Sequence, residues 1–366
     1  MPITDALAAQ LDRLAAFEPG PFPVVSLYLN AQPDQHGRDH FDPFLRRELP
    51  DRLKTYPAEG PERESLEQDA EKIRRYTEEM DASANGVVLF SSSGAGLFEA
   101  LQLAAPIDEH RLYVSNEPHL YPLARLLDQY PRYAVLLADT QLSRIFVVAA
   151  NAVETATEVP GTKTRRHKMG GWSQARYQRH IENYHQQHAK EVADTLSRLV
   201  RDEGIASIVI AGDPVAVPLM RDELPKDVAS RVVEVIKLDG NAGDRQMIEA
   251  TIESMRQKDA ETDRERVDAL LGAYRSGGLA AVGVDATLRA FELGQVDELL
   301  ITAAPDTIDS AARKKAADGD ERSAEERAAD ELVVKANQTA ATIRFIEDPA
   351  LLADVGGVGA FLRFKV

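Results

Sequence analysis

A basic segment within an acidic chain, residues 162–179, places the strongest constraint on how this protein can fold. The whole chain carries a formal net charge of -17. Between positions 161 and 190 the only acid is Glu182, whereas the cations are Lys163, Arg165, Arg166, Lys168, Arg176, Arg179 and Lys190. Such a run is expected at the surface, either as a solvated loop or as a binding surface for phosphate-rich RNA or DNA.

The centre of the basic segment favours a nucleic-acid surface over a plain solvated loop. Gly170 and Gly171 allow the backbone to approach a partner closely. Trp172, the only Trp in the chain, follows them without surrounding apolar periodicity, which disfavours a core position. An aromatic side chain beside Arg and Lys can stack on unpaired bases. His167 and Ser173 complete the predicted RNA-binding set.

Composition excludes several classes of protein. The 366 residues include no Cys, which excludes disulfides, thiolate catalysis and Cys-ligated zinc and indicates a reducing compartment. No apolar run approaches the ~18 residues of a membrane span. The amphipathic, acid-bearing N-terminus does not resemble a signal peptide, so we expect a cytoplasmic protein without a membrane partner. The length predicts two or three domains.

Hydrophobic periodicity predicts an N-terminal α/β domain over residues 1–128. The predicted helices span residues 3–17, 39–55 and 61–80, and the predicted strands span 24–29, 86–90 and 97–101. The Ser/Gly run between the last two strands lacks the Gly-Lys-Ser/Thr ending of a phosphate loop, so we interpret it as a hairpin turn.

The middle domain, residues 129–262, is predicted to be a mixed sheet flanked by helices. Three strands (133–139, 143–148 and 152–159) precede the basic segment, and strands 207–211 and 231–236 follow it. Between them, apolar spacing predicts a helix from Ser173 to Glu203, with His188 on its apolar face and Ser173 as the N-cap. The positive end of that helix would face whatever the Gly-Gly loop contacts.

A long charged helix, residues 243–275, leads into a C-terminal αβα sandwich domain, residues 263–366. Strands are predicted at 278–282, 298–301 and 342–346, with a helix over 284–293 that ends at Gly294. The polar stretch 306–331 is predicted to be an exposed insertion with a helix entering at its end. The whole chain is therefore predicted to be an α/β protein of three domains.

Two segments together resemble the archaeal and eukaryotic class-1 peptide-chain release factor superfamily. Residues 170–179, GGWSQARYQR, and the helix after them resemble its middle-domain signature, Gly-Gly-Gln-Ser followed by Arg-Phe/Tyr-x-Arg. Residues 283–301 and the ending GGVGAFLRFKV resemble its third domain, a fold shared with kink-turn-binding ribosomal proteins. The superfamily includes Pelota, the VMS-type peptidyl-tRNA hydrolases and the hibernation factor Balon, and the chain resembles its bacterial branches.

The resemblance implies a tRNA-shaped protein that enters the ribosomal A site, reaches the peptidyl-transferase centre with its loop and meets a translational GTPase through its third domain. Trp172 departs from the signature, because it replaces the Gln that places the hydrolytic water. An indole donates one hydrogen bond but accepts none. Gln174 is the candidate substitute. No Asn-Ile-Lys-Ser segment occurs, so stop-codon decoding is not expected.

Two functions therefore remain open. One is a ribosome rescue factor or peptidyl-tRNA hydrolase, with Gln174 positioning water. The other is a non-catalytic hibernation or stress factor, with Trp172 stacked in the centre. A metal site at His180, His185 and His188 is disfavoured because His180 and His185 do not share a helix face. We expect the helix histidines to face RNA, and we predict no metal and no cofactor.

Overall fold

A computed structural model of the protein describes residues 3–33, 41–149, 152–161, 174–239, 242–309 and 320–365. The side chains of residues 3–5 and 174–181 also lie outside this description. The chain divides into two compact units. Unit 1 combines Met1–Tyr130 with Thr262–Val366, and unit 2 is Pro131–Glu261. Three sheets with flanking helices confirm the α/β prediction; the three-domain division stays a prediction.

The N-terminal part of unit 1 is an antiparallel sheet whose order is β3-β2-β1-β4. Its strands are β1 (Val24–Asn30), β2 (Gly86–Ser92), β3 (Leu97–Leu103) and β4 (Arg111–Ser115). Its helices are α1 (Ile3–Ala15), α2 (Phe41–Lys54), α3 (Pro61–Glu78) and α4 (Tyr121–Gln129). The predicted hairpin of β2 and β3 is confirmed, with all seven residues of each strand paired. The sequence did not predict β4 or α4.

Alternation along the strands sends one set of side chains of this sheet toward α2 and α3. Val25, Leu27 and Leu29 pack with Leu49 of α2 and Ile73 of α3. Each fully buried aliphatic side chain of this kind contributes about 1.5–3 kcal/mol relative to an exposed one. Because residues 24–29 are buried on both faces of the sheet, the apolar run of β1 is interrupted only by Ser26.

Unit 2 is a five-stranded sheet of order β7-β6-β5-β8-β9. Its elements are β5 (Tyr133–Ala138), β6 (Leu142–Ala149), β7 (Ala152–Pro160), α5 (Gln174–Asp202), β8 (Ser207–Gly212), α6 (Ala216–Glu223), α7 (Lys226–Ala229) and β9 (Val232–Lys237). Strands β5, β8 and β9 run parallel, and β6 and β7 form an antiparallel meander with β5. The predicted strands and the long helix are confirmed.

Helices cover both faces of the unit 2 sheet. On one face, Leu136 of β5 packs with Val192 and Leu196 of α5. On the other, Val135 packs with Met247, which belongs to the long helix α8 (Asp244–Arg275). Because both faces are buried, the central strands are almost entirely apolar.

The C-terminal part of unit 1 is a four-stranded sheet of order β10-β13-β11-β12. Its elements are β10 (Ala280–Val282), α9 (Val284–Glu292), β11 (Val296–Thr302), α10 (Ala324–Gln338), β12 (Thr342–Ile346) and β13 (Val358–Leu362). Val267 and Leu270 of α8 pack with Leu300 of β11 and Ile346 of β12. A capping box between Ser323 and Glu326 begins α10.

The prediction that residues 306–331 form an exposed insertion is wrong for the part that the structure describes after position 319. Arg322 and Asp330 are only 4% and 3% exposed. Arg322 donates two bonds to Asp320 and one, 2.8 Å long, to Asp330. These charges are buried because they neutralise one another, which a pattern of polar residues does not reveal.

This stretch, residues 320–330, also joins the C-terminal part of unit 1 to the N-terminal sheet, and we call it the strap. The Glu321 backbone N–H donates to the Val114 carbonyl at 3.3 Å, and the Val114 N–H donates to the Glu321 carboxylate at 3.1 Å. Asp330 accepts the N–H groups of Leu120 and Tyr121 at the start of α4. The strap therefore covers β4, the last strand at that side of the sheet.

Candidate functional site

The predicted RNA-binding loop falls outside the described residues. Lys163, Arg165, Arg166, His167, Lys168, Gly170, Gly171, Trp172 and Ser173 all lie there. Gln174, Arg176 and Arg179 belong to α5, but their side chains are not described. The structure therefore describes the two supports of this loop: the end of β7 before it and helix α5 after it.

The first support ends at Gly161, directly after β7. Its backbone N–H donates to the carbonyl of Gln141 at 2.6 Å. A Cβ added to Gly161 would lie 2.8 Å from that same carbonyl oxygen. Position 161 thus favours glycine because the chain passes so close to the β5–β6 turn.

The β5–β6 turn, residues 139–142, is built by the side chain of Asp139. One carboxylate oxygen accepts the N–H groups of Gln141 at 2.7 Å and Leu142 at 3.1 Å. The Ser143 hydroxyl donates back to the Asp139 carbonyl at 3.0 Å. Such Asx-type bonding favours a tight turn.

The second support is held to the same turn by His188 of α5. The ring is 3% exposed. Its Nε2 lies 3.2 Å from both the Asp139 carbonyl and the Ser143 hydroxyl. Since a carbonyl only accepts, we assign the ring proton to Nε2. Burial lowers the pKa of His188, although the nearby Asp139 and Glu191 oppose this shift; the ring is therefore neutral near pH 7.

The burial of His188 confirms its predicted place on the apolar face of the helix, and this histidine therefore does not face RNA. This ring points into unit 2, and its Nδ1 is buried with no hydrogen-bond partner among the described residues. His185 is partly exposed, and the His180 side chain is not described. Within the described part of the chain, no three His, Cys, Asp or Glu residues group closely enough to hold a metal ion.

The residues of α5 that are described before His188 lie outside the hydrophobic core. None of the described residues 182–187 is buried, whereas Ala189, Val192 and Leu196 are fully buried. With a rise of 1.5 Å per residue, the helix begins roughly 21 Å before His188. The core of unit 2 therefore anchors α5 from His188 onward.

Sequence reasoning missed the residues that support the loop: Asp139, Gln141, Ser143 and the role of His188. The signal was present in part, because Asp139-Thr140-Gln141 is a polar turn and Pro160-Gly161 ends a strand. Their convergence depends on tertiary structure.

Among the described helices, none is both long and apolar enough to cross a membrane.

Family models match two overlapping parts of the chain. Residues 118–256 match the model described as bacterial archaeo-eukaryotic release factor family 10. Residues 242–366 match eRF1 domain 3. Together the two matches cover the chain from the end of the N-terminal sheet to its last residue.

Curated relatives of the chain include archaeal and eukaryotic proteins named peptide chain release factor subunit 1. The chain is 26% identical over 212 residues to peptide chain release factor subunit 1 of Methanopyrus kandleri, covering 56% of this chain and 51% of the relative. It is 23% identical over 300 residues to the Aeropyrum pernix protein, covering 77% and 75%. The Saccharomyces cerevisiae factor is 23% identical over 298 residues, covering 71% and 68%. The chain thus spans about half of the first of these relatives.

Solved structures with similarity to this chain include Pelota and Dom34. Archaeoglobus fulgidus Pelota is 17% identical with a TM-score of 0.35, over 76% of this chain and 80% of that one. Saccharomyces cerevisiae Dom34, described as interacting with Hbs1, is 9% identical with a TM-score of 0.45, over 77% and 80%.

Proposed function

Because this chain is a relative of the archaeal and eukaryotic class-1 peptide chain release factors, we propose that it is a translation factor that binds the ribosome. In this proposal the basic segment contacts ribosomal RNA at the peptidyl-transferase centre, in ribosome rescue or peptidyl-tRNA hydrolysis. A role on the ribosome also places the protein in the cytoplasm. A translational GTPase is the proposed partner of the C-terminal domain.

The observation that carries this proposal is the support of the basic segment. Gly161, which precedes the segment, and His188 of α5, the helix that follows it, both bond to the β5–β6 turn. A segment supported in this way can reach a partner while its scaffold remains folded. Its cations attract phosphate, and the negative charge of the remaining chain disfavours nucleic-acid contact elsewhere.

A charge-reversal experiment tests ribosome binding. We expect wild type to cosediment with ribosomes, with binding that weakens as salt increases, because displaced counterions contribute to the affinity. Arg165→Glu with Arg166→Glu should abolish cosedimentation. The matched control is Arg74→Glu with Arg75→Glu, an adjacent arginine pair on α3 whose side chains are 45% and 70% exposed. An equal loss in both double variants would show that total charge, and not the basic segment, decides binding.

Trp172 supports a second candidate, a hibernation or stress factor that occupies the A site without chemistry. Its indole can stack on a base or on the tRNA end, but it cannot accept a hydrogen bond from water. Gln174 supports the hydrolase, because an amide can both donate to and accept from a water molecule.

Peptidyl-tRNA release from stalled ribosomes separates the two candidates. If the protein is a hydrolase, wild type releases the peptide and Gln174→Ala does not, while both still bind. If it is a hibernation factor, no variant releases the peptide and Trp172→Ala loses binding. Absence of ribosome binding by wild type would eliminate both.

A further inference from the structure

The two supports of the basic segment are connected by a chain of hydrogen bonds through the β5–β6 turn. From the β7 side, the Gly161 N–H donates to Gln141 at 2.6 Å. Within the turn, the Gln141 N–H donates to the Asp139 carboxylate at 2.7 Å. From the α5 side, His188 donates to the Asp139 carbonyl at 3.2 Å. Gln141 and Asp139 thus link Gly161 and His188, which lie on either side of the segment.

We infer that His188 is a positioning residue that, through Asp139 and Gln141, fixes the spacing between the two supports of the basic segment. We call this set, Asp139, Gln141, Ser143, Gly161 and His188, the clamp. The inference rests on the proposed function for its purpose, although the clamp itself consists only of described residues. No role in the chemistry is assigned to His188, because it lies in the interior of unit 2.

The chemistry of the site explains why a histidine suits this position better than an aliphatic residue. A leucine would fill part of the space but would leave the Asp139 carbonyl without its donor from α5, at a position where water access is limited. Gln places an amide nitrogen at about the same distance along its side chain as Nε2 and can restore that donor. The ring also packs where α5 enters the core, next to the fully buried Ala189.

Hydrogen exchange of the backbone amides, measured by mass spectrometry on the full chain, tests the clamp. His188→Leu should raise exchange at Gln141, Leu142 and Gly161 by about tenfold, as expected for the loss of about one net hydrogen bond. His188 does not contact Gly161, so a change there reports transmission through the turn. Gly161→Ala, which forces Gln141 to move, should raise exchange at Gln141 and Leu142.

Two further variants complete this experiment. His188→Gln should return exchange close to the wild-type rate. Ser197→Ala is the matched control, since Ser197 is also a buried polar residue of α5 but bonds only within the helix, to the Ala193 carbonyl at 2.6 Å. It should leave exchange at the turn unchanged. Wild-type exchange at Gly161 in His188→Leu would overturn the clamp. If that variant fails to fold, unchanged exchange at Leu142 in Gly161→Ala would overturn it.

Ribosome cosedimentation tests whether the clamp, once shown by hydrogen exchange, also contributes to ribosome binding. His188→Leu removes no formal charge at pH 7.5, so any weakening of binding reflects the loss of pre-positioning, up to about tenfold. If wild type does not bind, the proposed function fails and the exchange result stands alone. If His188→Leu exchanges faster but binds as well as wild type, the positioning role is overturned.

Discussion

Two buried histidines, His119 in unit 1 and His188 in unit 2, hold their surroundings with different chemistry. His119 is 1% exposed, and its Nδ1 lies 2.7 Å from the carboxylate of Asp330. That carboxylate also accepts bonds from Arg322 and two backbone N–H groups. His188 instead meets a carbonyl and a hydroxyl at 3.2 Å, and its second ring nitrogen has no partner among the described residues.

We call each of these two histidines, together with its hydrogen-bond partners, a joint. The two joints differ in how strongly they stabilise the fold. Burial alone would raise the pKa of Asp330, but His119 and Arg322 outweigh this effect and hold it below its ordinary value. A charged, fully bonded joint such as this is strongly destabilised when one partner is removed. The neutral joint at His188 depends on fewer and longer bonds. The strap in unit 1 is therefore held by more and shorter hydrogen bonds than His188 contributes to the clamp in unit 2.

The largest expected effect is the loss of the charged joint in Asp330→Ala. Removing the carboxylate leaves Arg322 and His119 buried without it, which should lower the free energy of unfolding of unit 1 by about 3–5 kcal/mol. Urea unfolding followed by circular dichroism measures this loss. Asp354→Ala, at an exposed position of the same domain, is the control and should differ little from wild type. A loss below about 1 kcal/mol would remove the contrast between the two joints.

A smaller effect is expected at the neutral joint, and it depends on pH. His188→Leu should lower stability by about 1–3 kcal/mol at pH 7.5, because the Asp139 carbonyl loses its donor from α5 and keeps only the Ser143 hydroxyl. The folded-state pKa of His188 lies below its ordinary value of 6.5. The unfolded chain therefore binds the proton more readily, and this group's contribution is present above pH 6.5 and lost as pH falls below it.

Urea unfolding of wild type and His188→Gln between pH 5 and 7.5 checks that sign. Wild type should lose stability as the solution is acidified from pH 6.5, and His188→Gln should lose less. Equal slopes would mean that His188 is not the group that titrates.

A still smaller effect is expected from Tyr113→Phe, which removes one bond between the N-terminal sheet and α10. The Tyr113 hydroxyl donates to Glu326 at 2.8 Å. Both groups have access to water, so the loss should be about 0.5–1.5 kcal/mol. A double-mutant cycle with Glu326→Gln measures the coupling. A loss as large as that of Asp330→Ala would indicate that the whole strap, rather than its charged centre, fastens unit 1.

The smallest effect near neutral pH is expected at Asp69 of α3, a buried acid that bonds to Ser91 and Ser93 and to no cation among the described residues. Burial raises its pKa, which bonds from Ser91 and Ser93 partly offset. The folded state therefore holds the proton more tightly, and the contribution of Asp69 is complete below pH 3.8 and lost as pH rises through the folded pKa. Asp69→Asn should change stability at pH 7 by no more than about 0.5 kcal/mol.

The sign of the Asp69 effect is opposite to that of His188, and acid unfolding can detect it. As the pH falls toward 3.8, Asp69→Asn should gain less stability than wild type does. If its curve parallels wild type, Asp69 does not titrate in this range.

The sequence correctly predicted the elements whose buried side chains form a continuous or periodic apolar pattern. Strand β1 and helix α5 carry continuous or periodic apolar residues, so their positions were confirmed within a few residues. Strand β4 was missed because its five residues, RLYVS, are short and mixed in polarity. The strap was taken as exposed because Arg322 and Asp330 are charged, and only tertiary structure shows that they neutralise each other.

At the candidate site, too, local features could be predicted from the sequence and contacts between distant residues could not. The basic segment is a local property of the sequence, and its RNA-binding role stays a prediction. The clamp joins Asp139, Gly161 and His188, which are far apart in the chain, so spacing alone could not assemble it. His188 shared the apolar period of α5, which indicated that it faces inward but not what it bonds to there.

The strap has a consequence for the order in which the protein is made. Val114 and Glu321 are 207 positions apart, and His119 and Asp330 are 211 apart. During synthesis the N-terminal strands leave the exit tunnel long before their closing piece has been translated. Until then β4 presents open backbone groups, which can pair with a neighbouring nascent chain. The bonds that close the N-terminal sheet therefore cannot form until residue 330 has been translated.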